Sequence, residues 1–359
     1  MTWAEPGIED LGDGIHRIPL PLPMAGLKAV NVYALTDSDG VDLIDAGMAF
    51  VQAREQLEAA LRKLGAGLGD IGNFLITHVH RDHYTLAVAL RHERLVDKGV
   101  IALGEGERTN LTAARELAEG KGGPAFMGDL QSLGATDLAE RLSRNAARDR
   151  AGGDRPGGDR PGSLGPPAAS EWDEPDRWIE GGANLPLKSR TLRAIATPGH
   201  TRGHLVFHDA EAAVLFAGDH ILPHITPTLG FEPDRNRMAL RDYLASLRLI
   251  LQTPDARLLP AHGPVTDSAH TRVHELLAHH ENRLTETLAA VRNGDLTGEA
   301  TAYQVAGVIR WTRRRTSFAE LGPIDQLLAT GETAAHLEVL VLRGDLRKSS
   351  ATDGAVIYS

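Results

Sequence analysis

The chain has 359 residues, of which 42% are hydrophobic and 24% charged, as in a globular protein with a large core. A net charge of −10, with histidine neutral, argues against binding nucleic acid or an anionic membrane over the whole surface. Cysteine is absent, which excludes disulfides, thiolate metal sites and a cysteine nucleophile. Neither a leader nor a run of about 18 apolar residues is present, so we expect a cytoplasmic protein without membrane spans.

The N-terminal part alternates strands with helices. Alternating apolar residues and turn signals predict strands at 15–20, 31–35 and 40–45. Helical spacing follows at 51–64, ended by Gly65, and again at 86–96. With a further apolar run at 100–104, this alternation predicts an α/β fold.

A break in composition interrupts the middle of the chain. Residues 105–150, rich in Ala, Leu, Glu and Arg, predict two or three helices. The sequence GGDRP then occurs twice within 152–161, which predicts a flexible insertion at about 150–170. Regular structure resumes beyond it. Strands are predicted at 192–197, 214–217 and 257–260, with a helix at 237–251.

Metal-ligand side chains are concentrated in one short stretch, residues 77–83. It places three imidazoles and a carboxylate directly after an apolar strand. The two-residue period of a strand puts His78 and His80 on the same side. Asp82 and His83 come after a turn and can face a second point, so one segment can serve two metal ions.

Three later apolar runs also end in a ligand-type residue beside a glycine. The seven candidates are His78, His80, Asp82, His83, His200, Asp219 and His262. Residues at strand exits are where chemistry is usually mounted. Five imidazoles and two carboxylates suit two divalent ions, zinc first, with iron and manganese as alternatives. The residues alone leave open which ligand serves which ion.

These motifs resemble the metallo-β-lactamase fold superfamily, in the same order, over roughly residues 10–265. The motifs are Ile44-Asp45-Ala46-Gly47, His78-x-His80-x-Asp82-His83, Gly199-His200-Thr201, Gly218-Asp219 and Ala261-His262-Gly263. The missing cysteine and the Gly-His-Thr motif look more like the glyoxalase II and lactonase branches. The resemblance implies a four-layer αββα sandwich.

The resemblance also implies a role for each ligand. Metal 1 would be held by His78, His80 and His200, metal 2 by Asp82, His83 and His262, and Asp219 would bridge both. Asp45 would brace the site without ligating. Asp82 and Asp219 are the candidate catalytic residues, because a hydroxide shared by the two ions would attack a carbonyl that one ion polarises.

Other polar residues near the motifs receive more modest roles. His204 and His220 fit positions behind the ligands, or packing. The hydroxyl of Tyr84 could reach a substrate, although a packed aromatic is the simpler interpretation. His224 fits either the pocket mouth or a solvated loop. His274, His279 and His280 are expected on the surface of a helix.

The C-terminal segment predicts a second domain. We divide the chain into a catalytic domain, 1–266, and a mostly helical domain, 267–359, which resembles a winged-helix-like appendage. Its helices are predicted at 268–291, 301–311, 324–328 and 332–343, with a β tail at 353–358. Arg310, Arg313, Arg314 and Arg315 form a basic cluster beside Trp311, either a solvated face or a binder of RNA or another anion.

The sequence therefore predicts a metal-dependent hydrolase of a small-molecule ester, thioester or lactone. Two alternatives remain: an RNA endonuclease that grips RNA with the C-terminal domain, and a non-catalytic regulatory protein. A small molecule is the expected partner, nucleic acid is disfavoured, and a homodimer is one option for the assembly.

Overall fold

The structure is a computed structural model of the chain. It describes residues 3–24, 26–38, 40–96, 98–121, 129–151, 168–229, 232, 236–293, 296, 299–312 and 314–359. Most of the predicted insertion, 152–167, lies outside the described residues, as does Arg313 of the basic cluster.

A seven-stranded sheet forms the first half of the fold. Its strands, adjacent in chain order, are β1 (Glu9–Asp10), β2 (Ile15–Pro21), β3 (Ala29–Thr36), β4 (Val41–Ile44), β5 (Ile71–Ile76), β6 (Val100–Gly104) and β7 (Arg177–Ile179). The pairs from β1 to β4 are antiparallel, and those from β4 to β7 are parallel. The parallel strands β4, β5 and β6 therefore end at one edge, where their loops meet.

A five-stranded sheet forms the second half. Its strands are β8 (Asn184–Pro186), β9 (Thr191–Ala196), β10 (Leu205–Asp209), β11 (Val214–Gly218) and β12 (Arg257–Pro260), in the spatial order β12-β11-β10-β9-β8. Only β11 and β12 pair in parallel. The sequence analysis had not identified β1, β7, β8 and β10, because these strands are short or carry charged residues that obscure the alternation.

Two apolar layers hold the sheets. One lies between them and includes Tyr33 and Leu75 from the first sheet and Phe207 and Phe216 from the second. Tyr33 and Phe216 pack edge-to-face, with ring centroids 5.4 Å apart. The other layer joins the first sheet to its covering helices. The predicted α/β class, with two sheets packed together and flanked by helices, is thereby confirmed.

Helices lie in the regions where the sequence predicted helical spacing. The described helices are α1 (Val51–Lys63), α2 (Arg81–His92), α3 (Arg108–Ala118), α4 (Thr136–Ala151), α5 (Ala239–Ile250), α6 (Ala269–Asn293), α7 (Ala302–Val308) and α8 (Pro323–Leu342). Helix α2 begins at Arg81, five residues before the predicted start at 86. Asp82 and His83 therefore stand on its first turn, with His80 as the N-cap.

The residues form two compact units. The first contains Met1–Lys121, Arg160–Pro227 and Ala245–His274, and the second contains Gly122–Asp159, Thr228–Leu244 and Glu275–Ser359. The second unit thus takes in two segments that lie before the predicted boundary at 266. It contains α7, α8 and a hairpin of β13 (Lys348–Ser350) with β14 (Val356–Tyr358). The helical C-terminal region is present, and its winged-helix-like character stays a prediction.

One C-terminal prediction is wrong. Residues 324–328 and 332–343 were expected as two helices, but α8 runs unbroken through Thr330 and Gly331. A glycine inside a helix costs only about 1 kcal/mol, which a buried helix tolerates. The hydroxyl of Thr330 donates to the carbonyl of Gln326 within the helix and does not interrupt it.

Among the described residues, no helix is long and apolar enough to cross a membrane.

Candidate metal centre

Four ligand atoms converge in a first donor group. Nε2 of His200 lies 3.2 Å from Nε2 of His78, 3.0 Å from Nδ1 of His80 and 3.4 Å from Oδ2 of Asp219. Two of these side chains come from the loop after β5, and two come from loops of the second sheet. We call His78, His80, His200 and Asp219 group 1.

A second donor group lies beside the first. Nε2 of His262 lies 3.3 Å from Oδ2 of Asp82 and 3.4 Å from Oδ1 of Asp219, while Nε2 of His83 lies 3.7 Å from each of those oxygens. We call Asp82, His83 and His262 group 2. Because Oδ2 of Asp219 faces group 1 and Oδ1 faces group 2, one carboxylate lies between them.

Hydrogen bonds behind the first sheet's ligands orient their rings. Asp45, on the loop after β4, accepts from Nδ1–H of His83 at 2.8 Å and from the Thr77 hydroxyl at 3.0 Å. Since the Thr77 hydroxyl donates to Asp45, its oxygen accepts from Nδ1 of His78, 3.0 Å away. Both imidazoles therefore turn Nε2 toward the centre, where a metal ion would take the place of a proton on that nitrogen. Asp45 has the bracing position that the resemblance implied.

The second sheet orients its ligands in the same way. Nδ1–H of His262 donates to the carbonyl of Ala29 at 2.8 Å, which turns Nε2 toward group 2. The backbone N–H of Asp219 donates to Nε2 of His204 at 3.1 Å. Nδ1–H of His204 consequently donates to the Thr197 hydroxyl, 2.9 Å away. His204 thus holds the backbone of Asp219 in place and does not itself belong to a donor group.

Burial and charge set the protonation of the centre. Burial, with the imidazole of His200, lowers the pKa of His80 to about 3. Burial opposes charge on His83, but the surrounding carboxylates, that of Asp45 foremost, outweigh it and raise the pKa of His83 to about 10. Burial likewise opposes ionisation of Asp82, yet the neighbouring imidazoles, His83 first, hold its pKa below the usual range. The carboxylates stay ionised, and a cation bound between them would offset their negative charge.

The donor set fits divalent cations. Nε2 of His83, Oδ1 of Asp219 and Nε2 of His262 are buried and accept no hydrogen bond from any residue that the structure describes. Buried polar atoms without partners are costly, so their convergence indicates a ligand. The donor separations of 3.0–3.7 Å match the roughly 3.4 Å expected between tetrahedral ligands about 2.0–2.1 Å from one zinc ion. Nitrogen and oxygen donors also suit iron and manganese.

The exposed fractions of the ligand side chains show from which side solvent reaches the centre. The side chains of Asp82 and Asp219 are 13% and 10% exposed, whereas those of His83 and His262 are 0% and 2% exposed. His80 is also partly exposed, so a water or substrate group reaches the donors on the side of Asp82, Asp219 and His80.

Three further residues, Tyr84, His220 and His224, were predicted near the site and lie outside the two donor groups. Tyr84 is fully buried and its hydroxyl donates to the carbonyl of Asp173, so the substrate-contact interpretation is wrong. His220 is buried behind the centre, and burial together with His200 lowers its pKa to about 3. His224 is exposed on the loop after β11 and belongs to neither donor group.

Some residues of interest were missed or misplaced by sequence reasoning. His280 was expected at the surface but is 1% exposed, with Nδ1 3.2 Å from Nε2 of His336. The roles of Thr77, Thr197 and Glu107 had not been anticipated. Thr77 directly precedes His78, and this adjacency to a ligand was the one signal available.

A family model described as the metallo-beta-lactamase superfamily matches residues 25–262. The chain is 32% identical over 138 residues to a beta-lactamase-like protein 2 homolog from Caenorhabditis elegans. It is 30% identical over 146 residues to an atrochrysone carboxyl ACP thioesterase from Aspergillus fumigatus. Each match covers 38% of this chain and 44% of the relative, so the chain spans less than half the length of these curated relatives.

The fold as a whole also has a solved counterpart. A metallo-beta-lactamase family protein from Thermus thermophilus superposes with a TM-score of 0.69 at 26% identity. The superposition covers 97% of this chain and 99% of that one. The likeness therefore extends beyond the residues that the family model matches.

Proposed function

Because the chain belongs to the metallo-β-lactamase superfamily, we propose that it hydrolyses a small-molecule ester, thioester or lactone with two divalent cations, zinc being the first choice. A small molecule, and not nucleic acid, is the partner in this proposal. The proposal includes a relation to the glyoxalase II and lactonase branches, which rests on the sequence motifs.

The position of Asp219 carries the proposal. Its two oxygens each lie 3.4 Å from a ligand nitrogen, one on His200 and one on His262. A carboxylate shared in this way would contribute one oxygen to a cation at each donor group. Cations held by the two groups would activate the attacking water near neutral pH and polarise the carbonyl under attack.

The protein's own groups then have defined tasks. The ionised carboxylate of Asp82, at the exposed side of group 2, accepts a hydrogen bond from the attacking water and orients it toward the substrate. The Nδ1–H bonds to Asp45, Thr77 and Ala29 keep the imidazoles from rotating during turnover. No side-chain nucleophile is required, which agrees with the absence of cysteine.

One relative supports the choice of substrate class. The Aspergillus fumigatus protein named as an ACP thioesterase aligns at 30% identity with part of this chain. A thioester presents the same acyl carbon as an ester or a lactone. Each of the three therefore belongs in the first substrate panel.

Asp219→Ala tests the proposal. It removes the shared ligand, so we expect loss of at least one ion per chain and a drop of about 100-fold or more in turnover, as for other groups that stabilise a transition state directly. Metal content is measured on protein prepared without chelator, and turnover on the ester, thioester and lactone panel. Asp10→Ala, at a side chain that is 74% exposed, is the matched control and should behave as wild type. A wild-type chain that retains no metal would contradict the proposal.

The two alternatives have less support. For RNA cleavage, Trp311 would have to stack on bases, but it is buried and Arg283 lies over its ring at 4.6 Å. For a non-catalytic protein, the donor groups would be expected to be incomplete, whereas seven ligand atoms converge. Single-stranded RNA turnover would revive the first, and a metal-loaded protein inert to the whole panel would revive the second.

A further inference from the structure

A buried carboxylate that belongs to neither donor group faces the loop of His200. Glu107 follows β6 and is 0% exposed. One of its oxygens accepts from the hydroxyl of Thr201, the residue after His200, and the other accepts from the side-chain amide of Asn110 at 2.8 Å. Burying a carboxylate without such bonds costs several kcal/mol. The hydrogen bonds from Thr201 and Asn110 therefore offset the cost of burying the Glu107 carboxylate and fix its orientation toward Thr201.

The two turns that carry these residues are pressed against each other. A Cβ on Gly106 would come within 2.7 Å of Cα of Gly203, and a Cβ on Gly203 would overlap the backbone of Glu107. Only glycines allow this approach of two backbones. The loop at 199–203 therefore cannot slide along the turn at 105–107, and the hydroxyl of Thr201 stays within reach of the carboxylate.

The turn around His200 transmits this anchor to the ligand. The backbone N–H of Gly199 donates to the carbonyl of Thr201 at 3.0 Å, and Gly199 has a φ of +146°. His200 is thus the middle residue of a tight loop whose far end is held by Glu107. Group 1 needs this precision, because Nε2 of His200 lies within 3.4 Å of the other three donors.

We propose that Glu107 is a positioning residue for group 1: through the Thr201 hydroxyl it aims His200, and so sets the affinity of that group for its cation. Group 2 draws on other loops and does not depend on Glu107. The inference rests on the proposed function only in that a metal ion occupies the donors.

Thr201→Val removes the hydroxyl and keeps the shape. Two backgrounds isolate the groups: Asp82→Ala leaves group 1 complete, and His80→Ala leaves group 2 complete. In the Asp82→Ala background we expect Thr201→Val to weaken zinc binding by about 10- to 100-fold, the range found when partners behind a ligand are removed. In the His80→Ala background zinc affinity should stay the same. Chelator competition measures both, and Thr201→Ser should restore the affinity.

A double variant covers the case in which Thr201→Val fails to fold. Thr201→Val with Glu107→Gln removes the Thr201 hydroxyl and the buried charge together, while the glutamine oxygen still accepts from the side-chain amide of Asn110. It should fold and still lose zinc affinity at group 1. Thr333→Val is the matched control, since Thr333 is an equally buried threonine that donates to the carbonyl of Ala329 in α8.

The outcomes separate the two proposals. Zinc affinity at group 1 that is unchanged by Thr201→Val, and by the double variant, would overturn the role of Glu107 and leave the proposed function standing. Failure of the wild type and of both backgrounds to bind zinc would contradict the proposed function itself. An equal loss at both groups, or in Thr333→Val, would mean a general loss of structure and would also overturn the inference.

Discussion

At the scale of single residues, the partners behind the ligands decide which nitrogen of each ring faces the centre. Asp45 is the strongest of these partners, because it is 2% exposed and accepts from both His83 and Thr77. Its φ of +59° is a left-handed conformation that aspartate and asparagine tolerate better than most residues. A change at Asp45 can therefore alter the protonation of His83 without altering the backbone.

Asp45→Asn is expected to weaken group 2. With the asparagine oxygen toward Thr77, its amide faces Nδ1 of His83, so His83 moves its proton to Nε2 and loses the lone pair that it directs at the centre. We expect a decrease of about 10- to 100-fold in affinity for one of the two ions, measured by metal titration. Asp42→Asn, at a 9% exposed aspartate bonded to Asn73, is the control, and an equal effect there would contradict this explanation.

Sequence reasoning reached the residues of the centre unevenly. The local spacing of His78, His80 and Asp82 was enough to predict ligands, because a strand exit puts neighbours in sequence close in space. His200 and His262 are far away in the chain; their positions at strand exits made them candidates, and the family resemblance assigned each of them to a metal. Glu107 was not predicted, since its partnership with Thr201 depends on a contact between loops 94 residues apart.

At the scale of elements, the end of β11 is a tightly constrained turn of the centre. Gly218 has a φ of +50°, and a Cβ there would lie 2.7 Å from Nε2 of His204 and 2.7 Å from the Thr77 hydroxyl oxygen. The strand must turn at this residue to present Asp219. Glycine is therefore required both for its conformation and for the space it leaves.

Gly218→Ala should destabilise the fold by about 2–5 kcal/mol, combining left-handed strain of about 1–2 kcal/mol with crowding of about 1–3 kcal/mol. Urea unfolding measures the change. Gly65→Ala is the control, because Gly65 also has a positive φ of +78° but nothing lies within 4 Å of its added Cβ. Equal losses in the two variants would show that crowding against His204 contributes nothing.

The elements themselves were predictable where burial requires apolar residues. The helical spacing in α1 follows from burial on a single side, whereas β2 is buried on both faces and was predictable from its apolar residues. The start of α2 was missed because its first turn carries ligands in place of apolar residues. The continuity of α8 was missed because Thr330 and Gly331 weaken helices only slightly, and burial of the surrounding residues decides the outcome.

At the scale of the whole molecule, unfolding should depend on pH through buried imidazoles, two of which lie in the second unit. Burial lowers the pKa of His336 to about 4, and it lowers the pKa of His280 as well. In the unfolded chain these imidazoles titrate near 6.5. The unfolded state therefore binds more protons between pH 6.5 and 4, and stability present above pH 6.5 is lost as the pH falls through this window.

His336 alone should cost about 2 kcal/mol of unfolding free energy between pH 7 and pH 5. Urea midpoints at the two pH values measure this dependence. His336→Gln removes the titrating group and should reduce the difference between the midpoints. An unchanged difference in that variant would mean that His336 does not titrate as its burial requires.

The two sheets contribute jointly to each donor group. Group 1 combines His78 and His80 with His200, and group 2 combines His83 with His262, so each cation would bridge chain segments more than 100 residues apart. A bound ion is thus a reversible cross-link that closes a long loop, and it favours the folded chain by about 2.7 kcal/mol at a hundredfold excess over its dissociation constant. The concentration of metal in the surroundings would then control the stability of the fold as well as the rate of turnover.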